Sequence, residues 1–131
     1  MTTVPSQEDL ESFAAMFGAT SARLVSLPSG KVTAVGDVLA GLSLVRTLVG
    51  SPAAARRLDA SLEGQLLPQS WAQGDVVCLV WKPQPESLLV CVFVCVEGGA
   101  VGAYRLGKEM DPAVVKLFAS KPPSTPPPPA Q

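Results

Sequence analysis

Three cysteines (Cys78, Cys91 and Cys95) and no histidine bound the chemistry open to this chain. Without an imidazole base, neither a Ser-His-Asp nor a Cys-His nucleophilic system can be assembled. A zinc ion would need thiolates and carboxylates alone, and no CxxC pair is present. Cys91 and Cys95 lie in one apolar run; as strand residues they would stand about 13 Å apart, too far to bridge or chelate. The carboxylates Asp37, Asp59, Glu63, Asp75, Glu86, Glu97, Glu109 and Asp111 are scattered over expected caps and turns, and none forms an acid–base pair. Gly30-Lys31 lacks the Walker spacing. Gly98-Gly99-Ala100-Val101-Gly102 lies between expected strands rather than opening a helix, so these glycines read as turn formers. No enzyme, no cofactor and no metal is therefore expected. The residues point to a binding protein.

Candidate contact residues are few. Trp71 and Trp81 flank an apolar stretch, and each reads either as core or as an interface anchor, where tryptophan is enriched. Arg46, Arg56 and Arg57 read as a solvated helix face or as contacts to a partner. The Pro-Pro-Ser-Thr-Pro-Pro-Pro-Pro run after Lys121 reads as an extended polyproline tail.

The elements that must carry these residues centre on two apolar runs, Val76 to Trp81 and Ser87 to Val96. The link Lys82-Pro83-Gln84-Pro85-Glu86 is too short for a parallel crossover, so the runs should be antiparallel neighbours. Neither alternates apolar with polar, so both faces of this hairpin must be covered. Upstream, Ser6-Gln7-Glu8-Asp9 reads as a capped helix start, with Leu10, Phe13, Ala14 and Phe17 at helical spacing and Gly18 as the stop. Ala22 to Leu27 and Val32 to Val35 read as a hairpin around Pro28-Ser29-Gly30-Lys31. A central helix is expected from Asp37 as cap, with Val38, Leu39, Leu42, Val45, Leu48 and Val49 on one face. Gly50-Ser51-Pro52 interrupts it: Gly50 fits a helix C′ position, and Ser51 and Pro52 the Ncap and N1 of a second piece to Leu62, although a kink is also compatible. Leu66 to Gly74 reads as an irregular entry to the long hairpin. Glu97-Gly98-Gly99 reads as a turn and Ala100 to Leu106 as a third strand. Asp111-Pro112 reads as the start of a short closing helix. The expected fold is α+β: one five-stranded antiparallel sheet, the central helix on one face and the terminal helices on the other.

The chain has 131 residues, 47% apolar, enough for one domain with a real core. Residues 1–5 and 121–131 are expected to be disordered flanks of a domain over 6–120. Ten basic and eleven acidic residues give a net charge of −1 with no block of either sign, which offers nothing to nucleic acid. No secretory pattern opens the chain, and the longest apolar run is half of a membrane span. Buried reduced thiols point to the cytoplasm.

Three segments carry a resemblance to a known family. Ala22-Arg23-Leu24-Val25-Ser26-Leu27-Pro28-Ser29-Gly30-Lys31-Val32 resembles the opening hairpin of the Roadblock family, of the dynein light chain and bacterial GTPase-regulator type. Ser87 to Val96 resembles its hydrophobic fourth strand, and Gly102-Ala103-Tyr104-Arg105-Leu106 its strand-five pattern. The family's central helix is usually continuous, whereas Gly50-Ser51-Pro52 breaks it here. The resemblance implies a homodimer, or a heterodimer with a related chain, in which central helices pack together and third strands pair. Here that surface would include Leu42, Val45, Val49, Val76, Cys78 and Val80, on the elements Val38 to Val49 and Asp75 to Trp81. It also implies binding of a Ras-like small GTPase, as regulator or adaptor, as in bacterial polarity and motility; the contact candidates read from residue chemistry, Arg46, Arg56, Arg57 and Trp71, would serve such a partner. The competing reading is a small-ligand sensor of the profilin, PAS or GAF kind, which needs a cavity with convergent polar groups.

Overall fold

A computed structural model of the chain describes residues 5–65, 68–96 and 98–118. Leu66, Leu67, Glu97, the first four residues and the Pro-rich tail lie outside the described residues.

Helix α1 (Gln7–Phe17) is capped as its sequence dictates. The Asp9 N–H donates to Ser6 Oγ at 3.1 Å and the Ser6 N–H to Asp9 Oδ2 at 3.4 Å, while Gly18 stops the helix in the left-handed conformation. Strands β1 (Ser21–Ser26) and β2 (Val32–Gly36) form the expected hairpin. The next helix starts later than Asp37. Asp37 Oδ1 instead accepts from the Leu39 N–H at 3.1 Å, closing a local turn that leaves Val38 and Leu39 exposed. Helix α2 (Leu42–Val49) begins only after Gly41, whose left-handed conformation lies against Val76 and Val92 so closely that a Cβ would strike Val76 Cγ1.

Gly50-Ser51-Pro52 divides the central helix. Ser51 Oγ accepts from the Ala54 N–H at 3.1 Å and Pro52 takes the first turn of α3 (Pro52–Leu62). Gly50 itself is right-handed rather than left-handed; its need for glycine is steric, because a Cβ there would run into the Arg46 carbonyl.

Two expectations fail after this point. Residues 69–73, read as an irregular entry, form strand β3 (Gln69–Gln73), which turns through Gly74 into β4 (Val76–Gln84). A Gln-Ser-Trp-Ala-Gln stretch carries no strand pattern, yet it satisfies the backbone groups that β4 leaves open on its outer side. β4 is thus internal to the sheet, not an edge. It runs past Pro83 by a register shift between Trp81 and Gln84, so its turn into β5 (Ser87–Val94) is shorter than the five-residue link suggested.

The second failure is Ala100 to Leu106, which is helix, not strand. Helix α4 (Gly99–Leu117) runs unbroken through Asp111-Pro112, so these two residues start nothing. Ala103, Gly107, Met110, Val114 and Phe118 are buried at steps of four, three, four and four, a helical stripe along a nineteen-residue element that outweighs the short alternation inside it. The Gly102-to-Leu106 part of the family resemblance fails with it, and Ser87 to Val94 is the fifth strand rather than the fourth.

The sheet order is β2-β1-β5-β4-β3, antiparallel throughout. Alternation along each strand divides its side chains between two cores. One face packs Leu24, Trp81, Leu89 and Phe93 against Leu10 and Phe13 of α1 and Met110 and Val114 of α4. The other packs Val25, Cys78, Val80, Leu88, Val90 and Val92 against α2 and α3. The five-stranded α+β sandwich is therefore the expected one, with its last strand drawn from a different part of the chain.

Candidate functional site

The two outer strands determine where this sheet can meet another molecule, and the ladder shows which groups they offer. In β2, the Ser26 N–H donates to the Lys31 carbonyl and the Asp37 N–H to the Thr20 carbonyl, each at 2.9 Å. Odd-numbered residues of β2 therefore bond to β1, and Val32 and Ala34 aim their N–H and C=O groups away from the sheet. At the opposite end, the Cys95 N–H donates to the Asp75 carbonyl at 2.7 Å. Odd residues of β4 then pair with β5 and even ones with Gln69, Trp71 and Gln73, so Ser70 and Ala72 present the outer backbone groups of β3.

Trp71 is half-buried and packs beside Val76 against the α2/α3 core. On the other side of β3, Pro68, Ser70, Leu79, Ala103 and Tyr104 line an open groove of about 400 Å³. Gly107 lets α4 approach: a Cβ there would come within 2.7 Å of Pro68 Cγ. Arg46 on α2 and Arg56 and Arg57 on α3 are all exposed in the same helical layer. Among the six residues expected at a dimer surface, Val45, Val49, Cys78 and Val80 are buried inside the chain, each less than a tenth exposed. They serve its own core. Leu42 and Val76 are the two that remain partly open. Trp81 resolves as core, 3% exposed, and its indole N–H donates to Asp111 Oδ1 at 3.1 Å. That bond gives Asp111 its place in the middle of a helix.

Sequence reasoning missed Arg23, which is buried on the α2/α3 face. Its Nη2 donates to the Val38 carbonyl at 2.6 Å, pinning the loop before α2, and burial holds its pKa below the ordinary arginine value. Nothing in Ala-Arg-Leu-Val distinguishes it from a surface arginine. The Lys82–Asp59 ion pair, 2.7 Å and part-exposed, ties α3 to the sheet but is worth at most about 1 kcal/mol.

Burial pushes the Cys78 thiol up to about 11, and Cys91 higher still, so both stay protonated core residues at neutral pH. Cys95 departs from expectation. It lies just past β5, exposed, with its thiol donating to Asp75 Oδ2 at 3.4 Å, a bond that raises its pKa. Among the described residues no cluster of three or more His, Cys, Asp or Glu could hold a metal ion, and no helix is long and apolar enough to cross a membrane.

Neither a family model nor a curated protein sequence matches the chain. Solved structures do. MglC from Myxococcus xanthus superposes with a TM-score of 0.56 at 16% identity, over 86% of this chain and 98% of that one. The gliding protein MglB from Thermus thermophilus gives 0.51 at 26% identity, over 85% and 86%. A structure described as MglB with tetrameric arrangement gives 0.52 at 25%, over 85% of each chain.

This is the Roadblock fold. The central helix that the sequence divides at Gly50 occupies, as α2 and α3, one face of the Roadblock sheet, while α1 and α4 occupy the other.

Proposed function

We propose that this chain is a self-associating Roadblock-type regulator or adaptor of a Ras-like small GTPase, working in the cytoplasm without a catalytic residue of its own. Its likeness to a gliding protein supports a role in polarity or motility. The observation that carries the reading is the open β3 edge. Gln69-Ser70-Trp71-Ala72-Gln73 is nearly symmetric about Trp71 and carries no charge. An antiparallel pairing of two copies about Trp71 sets Ser70 opposite Ala72, so the outward backbone groups of both strands are satisfied. It also sets the two indoles side by side on the α2/α3 face, where aromatic cross-strand pairs stabilise. Leu42 and Val76 would join this contact, with Val45, Val49, Cys78 and Val80 supporting it from beneath. Arg46, Arg56, Arg57 and the flank of Trp71 would then face the GTPase.

The sensor reading gains no support among the described residues: the groove beside β3 is an open surface cleft, and aliphatic and aromatic side chains fill the space between sheet and helices. Sedimentation of the purified chain with and without a Ras-like GTPase, loaded with GDP or a GTP analogue, tests the proposal. The expected result is a dimer that binds one nucleotide state more tightly. A strict monomer at high micromolar concentration that binds neither state would end it.

A further inference from the structure

The opposite edge of the sheet has a complementarity of its own. We infer that β2 is a second self-association edge, where two copies of this chain join antiparallel about Ala34. The argument rests on register, charge and exposure, and does not depend on the β3 pairing.

Val32 and Ala34 direct their backbone groups outward, and Val32 and Gly36 are exposed. A two-fold axis at Ala34 places Ala34 opposite Ala34 and Val32 opposite Gly36. Outward-facing residues then meet outward-facing residues, the condition for closing ladder hydrogen bonds between antiparallel strands. An axis between two residues would set outward groups against inward ones and close none. The same register brings Lys31 of each copy opposite Asp37 of the other. Both side chains are exposed, of opposite sign, at the two ends of the strand. Lys31 has no ion pair among the described residues, and Asp37 commits only Oδ1, to the Leu39 N–H. Directly opposed charges on neighbouring strands attract, and like charges repel. A parallel, in-register pairing would instead put Lys31 against Lys31. Ala34, at the axis, is the smallest side chain of the strand apart from Gly36, so the strand's own side chains leave room for a close approach there.

Each β3-paired dimer would still expose two β2 edges, so the consequence is a tetramer or a longer row of dimers, held by ion pairs and therefore sensitive to salt. Sedimentation velocity of the full chain at low and high salt provides the test, with circular dichroism confirming that each variant is folded. Wild type is expected to exceed a dimer at low salt and return to a dimer at high salt. Lys31→Glu should remain a dimer at both, its self-association beyond the dimer weakened at least tenfold, and Lys31→Glu/Asp37→Lys should recover the larger species. Ala34→Pro, which removes an outward N–H without touching the β1 ladder, should act like Lys31→Glu. Ala72→Pro should leave a salt-sensitive dimer, joined through β2 alone. A wild type that never passes a dimer, together with loss of that dimer in Ala72→Pro but not in Lys31→Glu, would overturn the β2 inference and leave the β3 reading standing. Loss of the dimer in Lys31→Glu but not in Ala72→Pro would do the reverse. Larger species in Lys31→Glu at wild-type strength would also overturn it.

Discussion

The two edges of this sheet solve the same problem with different chemistry. The β3 edge, Gln69 to Gln73, is uncharged, and its one aromatic side chain is the half-buried Trp71. The β2 edge carries small side chains bracketed by Lys31 and Asp37. An edge that joins by hydrogen bonds and an aromatic pair should be indifferent to salt, whereas one aligned by opposed charges should not. The difference teaches that two edges of one sheet can offer a second copy different chemistry, one uncharged and one flanked by opposite charges. Under the two proposed pairings the charged edge would gain nothing from the uncharged one, and each would be matched best by its own copy.

The largest effect that bears on this comparison lies behind the edges. Val45→Asp places a carboxylate in a site 3% exposed and should cost about 4 kcal/mol or more, unfolding the chain before either edge can act. Leu42→Asp, on the same helix but half-exposed, should leave a folded protein with weakened β3 association. Chemical denaturation and sedimentation of the pair separate core from contact, and a folded, dimeric Val45→Asp would show that the interior is misassigned. Next comes Trp71→Ala. If the two indoles anchor the β3 pair, the truncation should cost about 2 kcal/mol of association, some thirtyfold in Kd, at either salt concentration. A loss confined to low salt would reverse the assignment of the two edges.

Asp111→Ala touches neither edge and serves as the internal control. It strips the acceptor from the buried Trp81 indole and should lower unfolding stability by about 1–2 kcal/mol while both associations persist. The smallest effect is that of pH. Cys78 and Cys91 have raised pKa values in the folded chain, so the unfolded chain loses these protons first. Their contribution is complete below about pH 8.5 and declines as pH rises toward about 11. Urea midpoints should therefore fall over that range, and less so in Cys91→Ala. Native alkylation should reach Cys95 alone, since the other two thiols are buried.

Much of the fold was legible before any coordinate was considered, where the signal was local or strongly periodic. The Ser6–Asp9 cap, the Gly18 stop and the Ser51-Pro52 restart depend on backbone donors within three or four residues, and the structure reproduces them. What misled were short windows. The brief alternation in Ala100 to Leu106 reads as strand, because the helical stripe emerges only when Met110, Val114 and Phe118 are counted with Ala103. Asp37 has the chemistry of a helix cap, and it does cap a turn, but the helix waits for Gly41. The contact residues were the least legible. Helical and strand periodicity identify an apolar face but not what covers it, so Val45, Val49, Cys78 and Val80 looked like an interface while serving the core.

By itself, the sequence determined that Val76 to Trp81 and Ser87 to Val94 form a hairpin covered on both faces, since unbroken apolar strands leave no side for water. It also determined that no histidine-dependent nucleophilic system can form within this sequence, because an absent imidazole cannot be supplied by folding. Tertiary structure alone decided which strands lie outermost. Gln69–Gln73 has almost no strand preference of its own and is a strand because β4 has unpaired N–H and C=O groups on that side. An edge is a property of what is missing beside a strand, and no residue within the strand records it.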